Sequence, residues 1–252
     1  MKCNFSKLDK KFYKNKKHFD NIAIKNLFDK KEINNILEEF PKIDDLIWWK
    51  YDNPFEKKMA FDDIQKMPPS IVKYFNFVNS RKFVKKLEDM TGIEGLISDP
   101  SLRAGGLHLI KSGGKLGVHA DFKYHRVTGW KRKINLITYL NKDWEKEYGG
   151  SLQLWDKDVK YCFKEIFPFF NTTVIFQTDD NSYHGHPEPL DCPDNVFRRS
   201  LATYYYVLHD EDINNTRVKS TDYKKLPHEE YDEKIENLRF KRSMGRLKDE
   251  TT

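Results

Sequence analysis

The sequence predicts an α+β chain, with helices of an N-terminal part packed on a closed or double-sheet β core. Three observations predict it. Before residue 101, apolar residues recur at helical spacing. From Leu102 onward, short alternating or β-branched runs take over, punctuated by Gly, Asn and Asp. After about residue 210 the chain is charged and poor in apolar residues. The expected division is residues 1–101 as a helical part packed on the core, 102–209 as the β domain and 210–252 as a charged C-terminal extension.

Each element has its own signal. Asp29 followed by Glu32 makes a capping box ahead of Ile33, Ile36 and Leu37, and Pro41 closes that segment. Pro68-Pro69-Ser70 opens a second helix with Ile71, Tyr74, Phe75 and Val78 on one face. Ser80 caps a third, carrying Phe83, Val84 and Leu87 and ending near Thr91-Gly92. These stripes read as packing faces that cover one side of a sheet. Strands are expected near 105–111, 115–121, 132–140, 151–156, 160–166, 173–177, 182–186 and 198–207. A last helix is expected from Glu229 to Phe240, followed by a frayed basic end.

Composition sets bounds. The chain has 252 residues, and 18 Phe, 13 Tyr and 5 Trp can support a sizeable core. No apolar run approaches the roughly 18 residues of a membrane helix, and the Lys-rich segment Met1 to Lys17 lacks the apolar stretch of a secretory signal. The cysteines Cys3, Cys162 and Cys192 are odd in number, widely spaced and free of any Cys-x-x-Cys, which points to a reducing, cytoplasmic setting. The net charge of +6 comes from the ends: residues 1–17 carry +6 and residues 239–252 carry +3, leaving the body at −3. With no basic face on the body, no nucleic-acid partner is expected, and the tails read as solvated ends. No membrane association is expected, and the oligomeric state is unreadable.

The chemistry concentrates in two places. In Gly117-Val118-His119-Ala120-Asp121, the imidazole and carboxylate two residues apart on a strand point to the same side, with apolar Val118 and Ala120 on the other. His184, 63 residues beyond Asp121, supplies a third candidate ligand in Ser182-Tyr183-His184-Gly185-His186-Pro187. Two imidazoles and a carboxylate suit one face of a non-haem Fe(II) ion and leave positions open for a co-substrate and O2. His186 shares the face of His184 and is the rival ligand; otherwise it would stand behind the metal or face the substrate. In Arg198-Arg199-Ser200-Leu201-Ala202-Thr203-Tyr204, alternation puts Arg198 with small neighbours on one face and sends Arg199 to solvent. A guanidinium so placed suits a carboxylate taken through two parallel hydrogen bonds.

From about Gly105 to Val207, roughly two-fifths of the chain, the sequence resembles the Fe(II)/2-oxoglutarate dioxygenase superfamily, in its prolyl 4-hydroxylase-like branch. The residues that carry the resemblance are His119-x-Asp121, Asn135 to Trp144 with its Leu140-Asn141-x-x-Trp144, Gly149-Gly150-x-Leu152, His184 and Arg198-x-Ser200. The resemblance implies a double-stranded β-helix (jelly-roll) core with N-terminal packing helices. It implies iron on His119, Asp121 and His184, and the distal carboxylate of 2-oxoglutarate on Arg198 and Tyr139, with no catalytic residue beyond the metal ligands. It further implies 2-oxoglutarate and O2 as co-substrates, with ascorbate as an accessory candidate. The reaction would hydroxylate an unactivated C–H and release succinate and CO2. Ten residues before His119, some relatives carry a tyrosine directed at 2-oxoglutarate, where this chain has Leu109; strand parity argues against neighbouring His108 taking that part. The interval from His184 to Arg198 holds a Pro-rich insert, Pro187 to Pro193.

The substrate would be a prolyl residue of a protein or peptide, or a small molecule such as an amino acid or sugar derivative. Two alternatives stand beside this reading. One is a binding module on the same scaffold without turnover, against which the intact triad and Arg198 argue. The other is a nucleic-acid demethylase, whose second arginine further along the last strand is missing after Arg199. No His-Glu-x-x-His supports a zinc hydrolase. His125 is expected to be exposed on a mouth loop. Trp144 and Trp155 are expected as core or mouth aromatics, Trp48-Trp49 as packed on the barrel and Cys162 as a packed thiol.

Overall fold

The computed structural model describes residues 1–45, 48–208 and 221–243. Eight strands follow the alternating runs from Leu102 onward: β5 (Gly106–Ile110), β6 (Lys115–Ala120), β7 (Lys131–Tyr139), β8 (Leu152–Trp155), β9 (Cys162–Ile166), β10 (Thr172–Gln177), β11 (His184–His186) and β12 (Arg198–Val207). Four more come earlier: β1 (Asn21–Lys25), β2 (Trp49–Asp52), β3 (Glu56–Phe61) and β4 (Ile97–Ser98); β13 (Asp222–Tyr223) comes after. The helical reading of the first hundred residues did not include β1, β2 and β3. All three join the sheet through partners rather than local pattern: β1 pairs with β10, β3 with β5, and β2 with β3.

The strands form one antiparallel, nearly closed sheet in the order β1-β10-β7-β12-β5-β3-β6-β11-β8-β9, with β13 on β6, β2 on β3 and β4 on β12. This is the double-stranded β-helix expected from the sequence. β3 is the turning point, pairing with β5 through Met59 to Phe61 and with β6 through Glu56 and Lys57. The layer β1-β10-β7-β12-β5 therefore faces the layer β6-β11-β8-β9 across an interior.

Alternation sorts the two faces of the first layer. On β12, Leu201 and Tyr205 turn outward into the main apolar cluster, while Arg198, Ser200, Ala202 and Tyr204 turn inward. On β5, Leu107 and Leu109 face outward and His108 and Ile110 inward. The outward face is covered by α2 (Lys30–Glu38), α3 (Pro69–Val78) and α4 (Arg81–Thr91), as expected, and α1 (Lys10–Tyr13) packs on α4. Asp29 caps α2 by accepting from the Lys31 and Glu32 amides, and Ser80 caps α4 through the Phe83 amide. The capping box is half made: Glu32 does not reach back but accepts from the Lys2 amide and Lys73. Tyr74 Oη donates to Thr138 Oγ1 at 2.8 Å and Tyr205 Oη to the Val78 carbonyl at 2.9 Å, which locks α3 onto the sheet. The final helix, α5 (Glu233–Ser243), starts and ends a few residues later than expected. The basic end beyond it and residues 209–220 lie outside the described residues. Among the described residues no helix is long and apolar enough to cross a membrane.

Gly106 shows how tightly the layers close. It has φ +77°, and a Cβ there would stand 2.2 Å from the Phe61 carbonyl oxygen. Gly106→Ala should cost about 2 kcal/mol or more, from the left-handed backbone and the overlap together. Urea denaturation measures it; a loss below about 0.5 kcal/mol, the range of a neutral surface change, would contradict this packing.

Candidate metal and co-substrate site

The antiparallel pairing of β6 with β11 sets His119 directly opposite His184, and Asp121 follows just beyond the end of β6. His119 Nε2 lies 3.6 Å from Asp121 Oδ1, and His184 Nε2 lies 3.5 Å from Asp121 Oδ2. One ligand atom from each of the three residues falls within 4.8 Å of the others, so the three expected ligands converge. Both histidines use Nδ1 in the same way, against the Gly117 carbonyl at 2.8 Å and the Ser182 carbonyl at 2.9 Å. A carbonyl only accepts, so Nδ1 carries the proton and each Nε2 turns a lone pair toward Asp121. Tyr223 from β13 lies against the His119 ring at 5.3 Å and stacks on Phe55.

Protonation states fit a cation. Burial would raise the Asp121 carboxyl, but Arg132, His184 and His119 hold it well below the usual carboxylate range. Burial pushes His184 down to about 4 against the pull of Asp121, so it is neutral near pH 7.

Sequence reasoning missed the group behind Asp121. Arg132 is buried, its Nη2 3.1 Å from Asp121 Oδ2, and its Nε donates to Asn135 Oδ1 at 2.8 Å. Asn135 Nδ2 in turn donates to Asp121 Oδ2 at 2.8 Å. The guanidinium lies 3.4 Å from the Tyr204 ring centroid and 4.6 Å from that of Phe122. Arg132 and Asn135 are three apart and should face opposite ways. The register of β12 against β7 slips between Tyr205 and Tyr206, which turns both inward. A run of Lys-Arg-Lys gives no warning of that bulge.

The second expected pair also meets. Arg198 is buried; its Nε donates to the Gly150 carbonyl at 2.8 Å, its Nη2 to Tyr139 Oη at 3.3 Å, and its guanidinium lies 4.9 Å from the Tyr139 ring centroid. Gly150 beside it has φ +67°, and a Cβ there would stand 2.5 Å from Leu190 Cδ2 and 3.1 Å from Arg198 Cδ. Among the described residues no carboxylate pairs with Arg198, in contrast to Arg132. Burial lowers the pKa of Arg198, and a buried cation without a counter-charge is a costly arrangement that an anion relieves.

Triad and Arg198 line one cavity of about 540 Å³, together with His108, His186, Lys58, Glu56, Tyr51, Trp49, Arg103 and Phe122 among others. Several expectations are corrected here. His108 does face the cavity, and it is Leu109 that packs outward under the helices. His125 is not exposed: it is buried, with Nε2 3.4 Å from Asp99 Oδ2 and Nδ1 accepting from the Thr128 amide at 3.2 Å. Arg199 is half-buried against the Phe197 ring rather than free in solvent. The Trp pair splits, with Trp48 packed on Phe40 and Trp49 62 % exposed at the mouth. Trp144 and Trp155 are core residues, and Cys162 is a half-buried thiol against the Lys164 carbonyl.

Residues 105–206 match the 2OG-Fe(II) oxygenase superfamily. In sequence, 79 residues are 32 % identical to the prolyl 3-hydroxylase OGFOD1 of Mus musculus; the match covers 30 % of this chain and only 14 % of that protein. In structure, the fold is similar to a prolyl 4-hydroxylase of Pseudomonas putida (TM-score 0.54, 13 % identity, 76 % of this chain and 94 % of that one). It is also similar to prolyl 4-hydroxylases from Phytophthora capsici (TM-score 0.55, 19 % identity, 82 % and 66 %).

Two outcomes are expected. Arg132→Met should weaken Mn(II) or Fe(II) binding by about 10- to 100-fold, the usual effect of removing a hydrogen-bond partner of a metal ligand. Metal titration reads it, and unchanged affinity would show that Arg132 does not orient Asp121. The second concerns pH. His108 is depressed to about 3 and His184 to about 4, both mainly by burial. The unfolded chain, with histidines near 6.5, therefore binds more protons between about 6.5 and 3. Stability of the metal-free protein should be level above pH 6.5 and fall progressively as pH drops below it. Urea midpoints at pH 7 and pH 5 test this; equal midpoints would contradict it.

Proposed function

We propose that this chain is an Fe(II)- and 2-oxoglutarate-dependent dioxygenase that hydroxylates an unactivated C–H, with residues 102–209 as its catalytic domain. The observation that carries the reading is the pairing, in one cavity, of a His-Asp-His triad with a buried guanidinium that has no carboxylate partner among the described residues. His119, Asp121 and His184 would hold the iron, on the face where their Nε2 and carboxylate oxygens converge. Arg198 and Tyr139 would take the distal carboxylate of 2-oxoglutarate, the guanidinium supplying charge and the phenol a second donor. Bound iron with 2-oxoglutarate supplies the O2-dependent oxidation that yields succinate, CO2 and the hydroxylated product. The chain's part is to orient both partners, keep Asp121 ionised through Arg132 and Asn135, and enclose the reacting atoms within the β-helix.

The sequence match to a prolyl 3-hydroxylase favours a prolyl residue of a protein or peptide as substrate, with a small molecule as the second possibility. Ascorbate would serve as an accessory reductant. The three cysteines are free thiols, which suits a cytoplasmic setting.

With Fe(II), 2-oxoglutarate and O2, the protein should form succinate even without its hydroxylation substrate, and a chelator should stop it. Asp121→Ala should lose turnover by roughly 100-fold or more, and Arg198→Ala should raise the 2-oxoglutarate KM by about 10- to 100-fold, as expected for a lost charge-assisted bond. Succinate formation unaffected by Asp121→Ala, or none from folded, iron-loaded protein, would favour a binding module instead.

A further inference from the structure

One group in the cavity is used by none of these roles. His186 is 3 % exposed, and among the described residues both of its ring nitrogens lack a hydrogen-bond partner. A buried imidazole left without partners is destabilising. The fold gains nothing from it, so the nitrogens are placed for something that enters.

Its position says what. His186 shares the face of His184 on β11 and stands opposite Leu116, whereas His184 stands opposite His119. Two residues along a strand is about 6.6 Å, and the direction is away from Asp121, deeper into the cavity. Arg198, Lys58, His119 and His108 line the same cavity as His186. Lys58 is already paired, its Nζ 3.2 Å from Glu56 Oε2, and Arg242 pairs with the same carboxylate. His108 has its other side against the Ala104 backbone, which leaves its bare Nε2 as an acceptor. Arg198 is thus the uncompensated cation, and His186 is the neighbouring side chain with an N–H still to give.

We propose that His186 is a co-substrate-binding residue: it donates one ring N–H to the distal carboxylate that Arg198 and Tyr139 engage, from the opposite wall of the cavity. The inference rests on the 2-oxoglutarate reading above. Neutral imidazole has one N–H and, with neither nitrogen committed, either tautomer is open to it. Arg198 and Tyr139 approach from β12 and β7, and His186 from β11, so the carboxylate is held from both layers of the β-helix.

The test is calorimetric titration of 2-oxoglutarate into Mn(II)-loaded protein without O2, for the unaltered chain, His186→Val and His186→Gln. His186→Val should weaken 2-oxoglutarate by about tenfold or more, while Mn(II) affinity stays within about twofold and thermal stability is unchanged or higher, because an unsatisfied buried group has been removed. His186→Gln, which restores an N–H donor, should recover most of the loss. Equal 2-oxoglutarate binding by all three proteins would overturn this proposal alone. A loss in His186→Val that tracks an equal loss of Mn(II) affinity would overturn it too, by making His186 a support of the metal ligands. No binding by the unaltered chain would overturn the parent reading along with it.

Discussion

β6 and β11 run antiparallel in the register that sets His119 opposite His184, and the site is built on that one alignment. It brings together residues 65 positions apart, and their side chains share a face because opposed residues of paired strands must. Gly185 permits the approach: a Cβ there would stand 2.8 Å from the carbonyl oxygens of both Gly117 and Leu116. A slip of one residue would send His184 to the far side of its strand and abolish the triad. Strands β8 and β13 flank this pair on either side, which leaves neither β6 nor β11 an open edge here.

Charge arrangement follows from enclosure. Among the described residues the interior holds two buried guanidiniums, and they differ in kind. Arg132 is consumed by Asp121 and the rings of Tyr204 and Phe122, so it acts as a fixed counter-charge that keeps the carboxylate ionised and aimed. Among the described residues Arg198 hydrogen-bonds to a carbonyl and a phenol and to no carboxylate. Such a cation is costly without a counter-charge, and the proposed 2-oxoglutarate carboxylate would supply one beside the unpartnered His186. The contrast between the satisfied and the unsatisfied arginine separates scaffold from binding site more sharply than either residue type alone.

Much of this was legible in the sequence where the signal is local. Period-two alternation located β5 to β12 within a few residues, and two-residue spacing placed His119 with Asp121 and Arg198 with Ser200 on common faces. What was hidden depends on partners distant in the chain. Strands β1 to β3 are four to six residues long, too short for their apolar residues to announce a strand without the partners they meet in the sheet. Arg132 and Asn135 share a face only through a bulge opposite Tyr205 and Tyr206. His108 was assigned to the wrong side because Leu107-His108-Leu109-Ile110 alternates equally well in either sense; the choice is made by α3 and α4, which bury the two leucines. His125 looked exposed in a polar loop, yet Asp99 from a preceding turn captures it.

Anaerobic addition of 2-oxoglutarate to the Fe(II)-loaded protein, watched for the weak visible charge-transfer band that forms when a 2-oxo acid chelates ferrous iron, tests the central claim most directly. The account predicts a saturable band in the unaltered chain that is absent in Asp121→Ala. No band at any 2-oxoglutarate concentration, in protein shown to be folded and to contain iron, would contradict it.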